Sequence, residues 1–567
     1  MAAALAAGLP PESGDAAAEL EAIAADRSRP PVERVAACMA RALGLDRAPA
    51  TDADFFTDLG GDSLRAVELL LWLRKLVGAE LSVRDLYAKR TAEGLAGTLA
   101  AGRASTVRIE RAAIRDRLSP VVAATAQAAL LAAGFTLTGA AAFAGLFLVV
   151  PWASARLDPV AFAVLVPVAA FVVAGLRLPF GLAATLAVKA IFLGRYRPGR
   201  VEAWSGRYLG EWLVGQVAAT IPWALIEGTE LHAWTLRRLG ARVGRRVHIH
   251  RGVNLARGGW DLLEIGDDAI LGRDAALLTA RTHRGGIEHG PVRIGNRAVI
   301  GIRATLEPGC TVGDGAEVEP LALVRGGVAV PAGERWGGVP AARLGTPADS
   351  PPAPRSAWGP WSHTLLAVVG RLGFALAAGL VAFAVAVALA RFELGALRGW
   401  LDRPTMSLEL AAFLVAAGLL SVPAWLVLSA LGLRWLGPVR PGTYPRYGPA
   451  AWRIAQRIAT LDAAGRWLSG TLLWPMWLRL AGMRIGKGSE VSTIIDTLPE
   501  TLSIGAGSFF ADGIYLAGPE LRPSGITVRE TGLGDETFLG NHCVVPAGVR
   551  YPAGMFIGVS TVAPAGT

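Results

Sequence analysis

The sequence predicts a multidomain membrane protein: an α-helical bundle near the N-terminus, four or more transmembrane helices, and two parallel β-helix domains. Three observations predict it. Residues 58–64 read Asp-Leu-Gly-Gly-Asp-Ser-Leu ahead of an amphipathic run, long apolar blocks occur in two pairs, and a six-residue apolar period recurs in both halves.

Composition narrows the classes. With 567 residues, 52% of them hydrophobic, and a mean hydropathy of +0.42, the chain is too apolar to be wholly soluble. Its formal charge of +10 comes from scattered arginines that cluster beside the apolar blocks. There is no basic stripe with interleaved aromatics, which argues against nucleic acid as a partner. Cys38, Cys310 and Cys543 are too far apart to read as a disulfide framework or a metal-ligand spacing. Residues 1–29 are rich in Ala, with Glu and Asp and no basic n-region, and are expected to be a disordered leader rather than a signal peptide.

Residues 30–100 are expected to form the helical bundle, with helices over about 31–43 and 63–77, a short one from Ser82, and a last one capped by Thr91. Gly60 and Gly61 permit a tight turn. Asp62 and Ser63 suit a helix start, and Leu64, Val67, Leu71 and Val77 follow at helical spacing. Asp54-Phe55-Phe56 supplies an aromatic anchor for the loop that leads in. A serine at a helix N-terminus suits attachment of a phosphate, because free amides and the helix dipole favour an anion there. The run resembles the attachment site of the thiolation (carrier) domains of non-ribosomal peptide synthetases. The resemblance implies that Ser63, flanked by Asp62 and Leu64, carries covalent 4′-phosphopantetheine installed by a phosphopantetheinyl transferase.

After a basic linker at 101–118, apolar blocks at 119–150 and 159–176 form a first membrane pair, and blocks at 363–390 and 407–433 a second, following a linker at 348–362. The segment 179–193, with Lys189, is expected to lie at the interface, with a third span as the alternative. Arg371 is costly in lipid and is expected near the interface or facing protein. Arginines flanking the first pair favour a cytoplasmic location for the soluble parts in a bacterial inner membrane, with membrane lipid as a partner.

The soluble remainder has a period of six. Ile294, Ile300, Leu306, Val312, Val318, Val324 and Val330 share one register, and Val292, Ala298, Ala304, Cys310, Ala316, Ala322 and Val328 precede them by two positions. Short strands that each point one aliphatic residue inward, with compact corners, make a parallel β-helix. The architecture is duplicated: Leu193-Gly194…Arg197-Pro198-Gly199 recurs as Leu436-Gly437…Arg440-Pro441-Gly442, and Ile265-Gly266 maps onto Ile504-Gly505. Each half is a membrane pair, an amphipathic helical segment (about 203–238 and 449–480) and a repeat domain, giving soluble regions at 196–347 and 437–567. The Trp-rich helical faces suit either the membrane interface or packing on the β-helix.

Such repeats resemble the left-handed β-helix (hexapeptide-repeat) acyltransferases, which take acyl groups from coenzyme A or a carrier and use a histidine base. Thr279-Ala280-Arg281-Thr282-His283 breaks the hexads and resembles the Thr-Ala-x-His run of the maltose acetyltransferase group, with one residue more before His283. His289 follows in the same loop beside Glu288, so His283 and His289 are the candidate bases. In the second copy Arg522 stands where His283 does, and Glu520 and His542 are its only candidates. His248 and His250 alternate along a strand without ligand-spaced carboxylates or cysteines, so no metal site is expected.

The arrangement also resembles the C-terminal region of membrane-bound, single-module synthetases of the ε-poly-lysine synthetase family. That implies an enzyme passing an acyl or aminoacyl group to an amine or hydroxyl acceptor; the family's adenylation domain is missing from residues 1–29 ahead of the carrier, so loading is expected from a separate adenylation enzyme. Two alternatives stand: an acetyl-CoA-dependent acyltransferase with an accessory carrier, or a membrane scaffold presenting the carrier to other enzymes. Ser63→Ala is expected to abolish 4′-phosphopantetheine attachment, read by intact-protein mass spectrometry, while costing no more than about 1 kcal/mol of stability.

Overall fold

The computed structural model describes residues 14–77, 83–97, 118–283, 285–348, 352–389 and 408–565, and the chain divides between Arg115 and Asp116 into two units.

In the first unit, α1 (Gly14–Ala25), α2 (Pro31–Leu43), α3 (Ser63–Trp72) and α4 (Val83–Lys89) are helical. Residues 14–25, expected to belong to a disordered leader, are a correction. Leu20 and Ala24 are buried in the bundle core, Arg34 Nε donates to the Ala24 carbonyl (2.8 Å), and Arg41 pairs with Glu21 (3.0 Å). Alanine is the best helix former, and a weakly apolar stretch becomes a helix once a core takes one of its faces. Pro31 opens α2 and left-handed Gly44 (φ 69°) closes it. The α3 residues that enter the core are Ala66 and Leu69, followed by Leu73 in the π-helical turn Leu73–Val77. Ser82 and nearly all of the expected linker lie outside the described residues; Thr91 Oγ1 accepts from the Gly94 amide (3.1 Å), as a helix cap does.

The second unit starts with α5 (Pro120–Ala144), which continues through a π-helical turn to Ser154, and α6 (Pro159–Phe192). Segment 179–193 is neither a separate interfacial piece nor a third span. It is the end of α6, which runs through Pro167 and Pro179 unbroken. Leu182, Thr185 and Lys189 are buried there against protein, and this packing offsets the lost proline hydrogen bonds.

Strand β1 (Gly199–Glu202) and helices α7 (Gly206–Ala218) and α8 (Glu230–Leu239) lead into the first β-helix, whose walls are sheets of six, three and five strands. Val299 pairs in parallel with Glu317, 18 residues on, so three hexads make one coil. The aliphatic register Ile294 to Val330 is at most 3% exposed throughout. One hairpin leaves the coil: β2 (Ala280–His283) and β3 (Gly286–His289), with β3 also antiparallel to β1.

The second half repeats the plan. Helices α9 (Pro360–Leu389) and α10 (Leu408–Trp435) bring the helices long and apolar enough to cross a membrane to four among the described residues. Arg371 in α9 faces protein, donating to the carbonyls of Leu225 and Glu227. Strand β4 (Gly442–Tyr444), α11 (Pro449–Leu468) and α12 (Leu473–Leu480) precede a β-helix with walls of four, four and three strands, and β5 (Glu520–Arg522) and β6 (Gly525–Val528) form its hairpin, β6 pairing with β4. In α12, Trp474 and Trp477 pack on the β-helix, the second of the two expected uses, while Leu473 and Met476 are exposed.

The two β-helices meet through a buried ionic contact. Arg273 of the first reaches Asp496 of the second (2.7 Å) and Asp462 of the preceding helix α11 (2.9 Å), and Arg522 returns to Glu317 (2.7 Å). Removing one partner of such a network leaves charges desolvated and unpaired. Arg273→Ala is therefore expected to destabilise this unit by about 3 kcal/mol, measured as a lowered thermal unfolding midpoint in detergent.

Candidate functional site

The hairpin that breaks the hexads organises a cavity of about 380 Å³ on the first β-helix. Because β2 and β3 are antiparallel, His283 sits at the free end, opposite Gly286, and His289 at the base, opposite Ala280. His283 is exposed and does not line the cavity; His289 is 9% exposed and does. The structure thus separates the two histidines.

His289 is brought to Glu211 of α7, with Nε2 3.0 Å from Oε2. Strand β1 makes this possible: paired with β3 from the other side, it carries the chain from the membrane helix past His289 and into α7. Glu211 is itself 9% exposed and held by Arg207 (3.3 Å). A carboxylate can only accept at this position, which selects the imidazole tautomer with its proton on Nε2. Nδ1 is then a lone-pair acceptor, and it is buried without a hydrogen-bond partner among the described residues. This is the arrangement of a base oriented by an acid.

Tyr196, just beyond the end of α6, forms another wall. Its ring centroid is 6.0 Å from that of His289, and its hydroxyl is buried without a hydrogen-bond acceptor among the described residues. Burial, and then the Glu211 carboxylate, push its pKa above the ordinary phenol range, so it stays a donor. Gly258 (φ 128°) comes so close to this hydroxyl that a Cβ would fall 2.5 Å from it. Trp212 and Trp260 complete an aromatic lining.

The second copy has a different interior at the same place. The shared Arg-Pro-Gly run sets Val439 where Tyr196 stands, strand register sets Val528 (opposite Gly442) where His289 stands (opposite Gly199), and the sixth residue of α11 is Ile454 where the sixth of α7 is Glu211. Val439, Ile454 and Val528 belong to one buried apolar cluster with Leu498. Of the fallback bases, Glu520 is bound by Arg522 and Arg529 (both 2.8 Å); burial acts to raise its pKa, and the two guanidiniums outweigh it and hold it below the usual value. His542 lies at an exposed coil corner with φ 59°.

In the first unit, Asp62 caps α3 by accepting from the Arg65 amide (2.8 Å), and Ser63 is the first helical residue. Gly60 turns with φ 70° and open space around it, whereas a Cβ on Gly61 would strike buried Phe55. Leu64, Val67 and Leu71 do not enter the core; they are 76%, 48% and 62% exposed and form an apolar strip running from the serine. An open glycine turn, a helix N-terminus and an uncovered apolar strip fit a covalently held phosphodiester arm that partner proteins have to reach.

The family model for a phosphopantetheine attachment site matches residues 33–99, so this domain takes covalent 4′-phosphopantetheine. The chain is 26% identical over 534 residues to the delta-poly-L-ornithine synthetase of Acinetobacter baumannii (strain AB307-0294), covering 90% of this chain and 39% of that protein. It therefore spans about two-fifths of that relative's length. Among solved structures, a maltose O-acetyltransferase from Clostridium difficile 630 is 16% identical with a TM-score of 0.21, covering 27% of this chain and 94% of its own. A galactoside acetyltransferase in complex with coenzyme A is 16% identical with a TM-score of 0.18, covering 24% and 80%. The chain thus joins a phosphopantetheine carrier domain to a duplicated assembly of apolar helices and β-helices, and is similar over most of its length to a poly-ornithine synthetase.

Proposed function

We propose that the chain is a membrane-bound acyl or aminoacyl transferase of the non-ribosomal peptide synthetase type, passing a group held as a thioester on its own carrier to an amine or hydroxyl acceptor in the cavity of the first β-helix. The observation that carries this reading is the His289–Glu211 pair with its unpartnered Nδ1, present in one copy and replaced by an apolar cluster in the other. Similarity to a protein named for joining ornithine favours an aminoacyl donor and an amine acceptor.

The 4′-phosphopantetheine group, attached at Ser63, supplies the thiol that holds the acyl group. His289 Nδ1 takes the proton of the acceptor as its nitrogen or oxygen attacks the thioester carbon. Glu211 stabilises the imidazolium that results. Tyr196 donates its hydroxyl proton in a hydrogen bond to the carbonyl oxygen as charge gathers there. The new bond to carbon forms, the carbon–sulfur bond breaks, and the proton on Nδ1 passes to the leaving sulfur. A phosphopantetheinyl transferase and a synthetase-type loading activity act on the carrier. The soluble parts lie on the cytoplasmic face of the bacterial inner membrane, where coenzyme A and ATP are found, because each pair of spans returns the chain to its starting side.

Single-turnover release from the loaded chain, with acceptor in excess, tests the roles. His289→Ala is expected to slow release about 10²–10⁴-fold, while His283→Ala stays near the wild-type rate. An unchanged rate in folded His289→Ala would overturn the assignment. Tyr196→Phe, which keeps the ring and removes the donor, should lower the rate about 10²-fold. Free acetyl-CoA restoring full transfer in Ser63→Ala would move the donor from the carrier to coenzyme A.

A further inference from the structure

Tyr196 also lines a second cavity, of about 780 Å³, where the end of α6 meets the first β-helix. Six basic side chains line it, Lys189, Arg195, Arg197, Arg238, Arg242 and Arg293, against two acidic ones, Asp261 and Glu264. The acids are already engaged: Lys189 holds Asp261 at 2.7 Å, and Arg242 and Arg293 share Glu264 at 2.7 and 3.3 Å. Among the described residues no carboxylate pairs with Arg195, Arg197 or Arg238, and the guanidinium of Arg238 lies over the ring of Trp234 at 5.2 Å. Like charges gathered around one concavity raise a positive potential that a phosphate relieves, and guanidinium geometry matches phosphate oxygens.

The surroundings indicate what carries the phosphate. Leu186 and Ala190 of α6 line the cavity, and Ile191 and Phe192, next along the helix, are 73% and 55% exposed. An apolar helix end beside a cationic cavity suits a ligand with an anionic head and hydrocarbon tails. The second copy lacks this set. Its counterparts of Lys189, Arg195, Arg238 and Arg293 are Gly432, Pro438, Leu480 and Gly532, and only Arg440 and Arg484 remain. A general need for basic residues beside a membrane span would apply to both copies alike.

We propose that this cavity binds the phosphate of an anionic phospholipid through Arg195, Arg197 and Arg238, with its acyl chains along the end of α6. The assignment is independent of acyl transfer in the neighbouring cavity, since it is read by binding. The test is native mass spectrometry of the full chain in detergent, titrated with phosphatidylglycerol and with phosphatidylcholine of matched chains. Phosphatidylglycerol is expected to bind preferentially, and Arg195→Gln/Arg197→Gln/Arg238→Gln to weaken it on the order of 100-fold. Arg197→Gln alone, at an exposed residue the fold does not need, should weaken it about 5-fold, and the second-copy pair Arg440→Gln/Arg484→Gln should leave it unchanged. Equal binding of the two lipids, or wild-type affinity in the folded triple variant, would overturn the site. Equally tight binding of glycerol 3-phosphate would overturn the lipid and assign the cavity to a soluble phosphate.

Discussion

Closure of the β-helix coil is the constraint on which the rest depends. Each coil admits one aliphatic side chain per wall and a compact residue near each corner, so residues such as Ile300, Leu306 and Val312 fill the interior completely. In the first copy the inward register from Ile294 to Val330 is aliphatic throughout. That copy's repeat is interrupted by the hairpin Ala280–His289. The hairpin alone does not enclose the cavity. It does so because β1, following α6, adds itself as a third strand and brings Tyr196 and Glu211 to the base of β3. The membrane attachment and the cavity are thus built by the same few residues.

The two copies show one frame put to two uses. Val439, Ile454, Leu498 and Val528 turn the second cavity's place into core. With its interior filled, the second hairpin serves the interface instead, and Arg522, at the end matching His283, reaches across to Glu317 of the first β-helix. A position that is an exposed tip in one copy is a structural clamp in the other. Polar residues lost from a cavity and gained at an interface are what divergence of a duplicated domain looks like in side-chain terms.

Much of this is legible in the sequence, for physical reasons. A six-residue period has no competing explanation in helices or ordinary sheets, and long apolar blocks have few. Breaks in so regular a pattern are conspicuous, which is why His289 stands out. Glu211 and Tyr196 do not, because a lone acid on an amphipathic helix and a tyrosine after a span carry no periodic signal. Their positions arise from strand pairing between distant segments, Gly199–Glu202 and Gly286–His289. His283 draws attention through its motif, but antiparallel register puts it at the far end of the hairpin from His289. On α3, helical spacing identifies an apolar face without saying which way it points, and Leu64, Val67 and Leu71 lie outside the core.

The junction between membrane helix and β-helix is solved twice with different residues. Asp261 accepts from the Tyr196 amide and pairs with Lys189 of α6, whereas Glu500 accepts from the Val439 amide and pairs with Arg457 of α11. The acid and the backbone amide correspond, and the cation comes from a different helix in each half. Each joint is complete within its own half and borrows nothing from the other. A half built this way carries its own joint wherever it is copied, and what has to be refitted is the contact between halves, where Arg273 and Arg522 reach across.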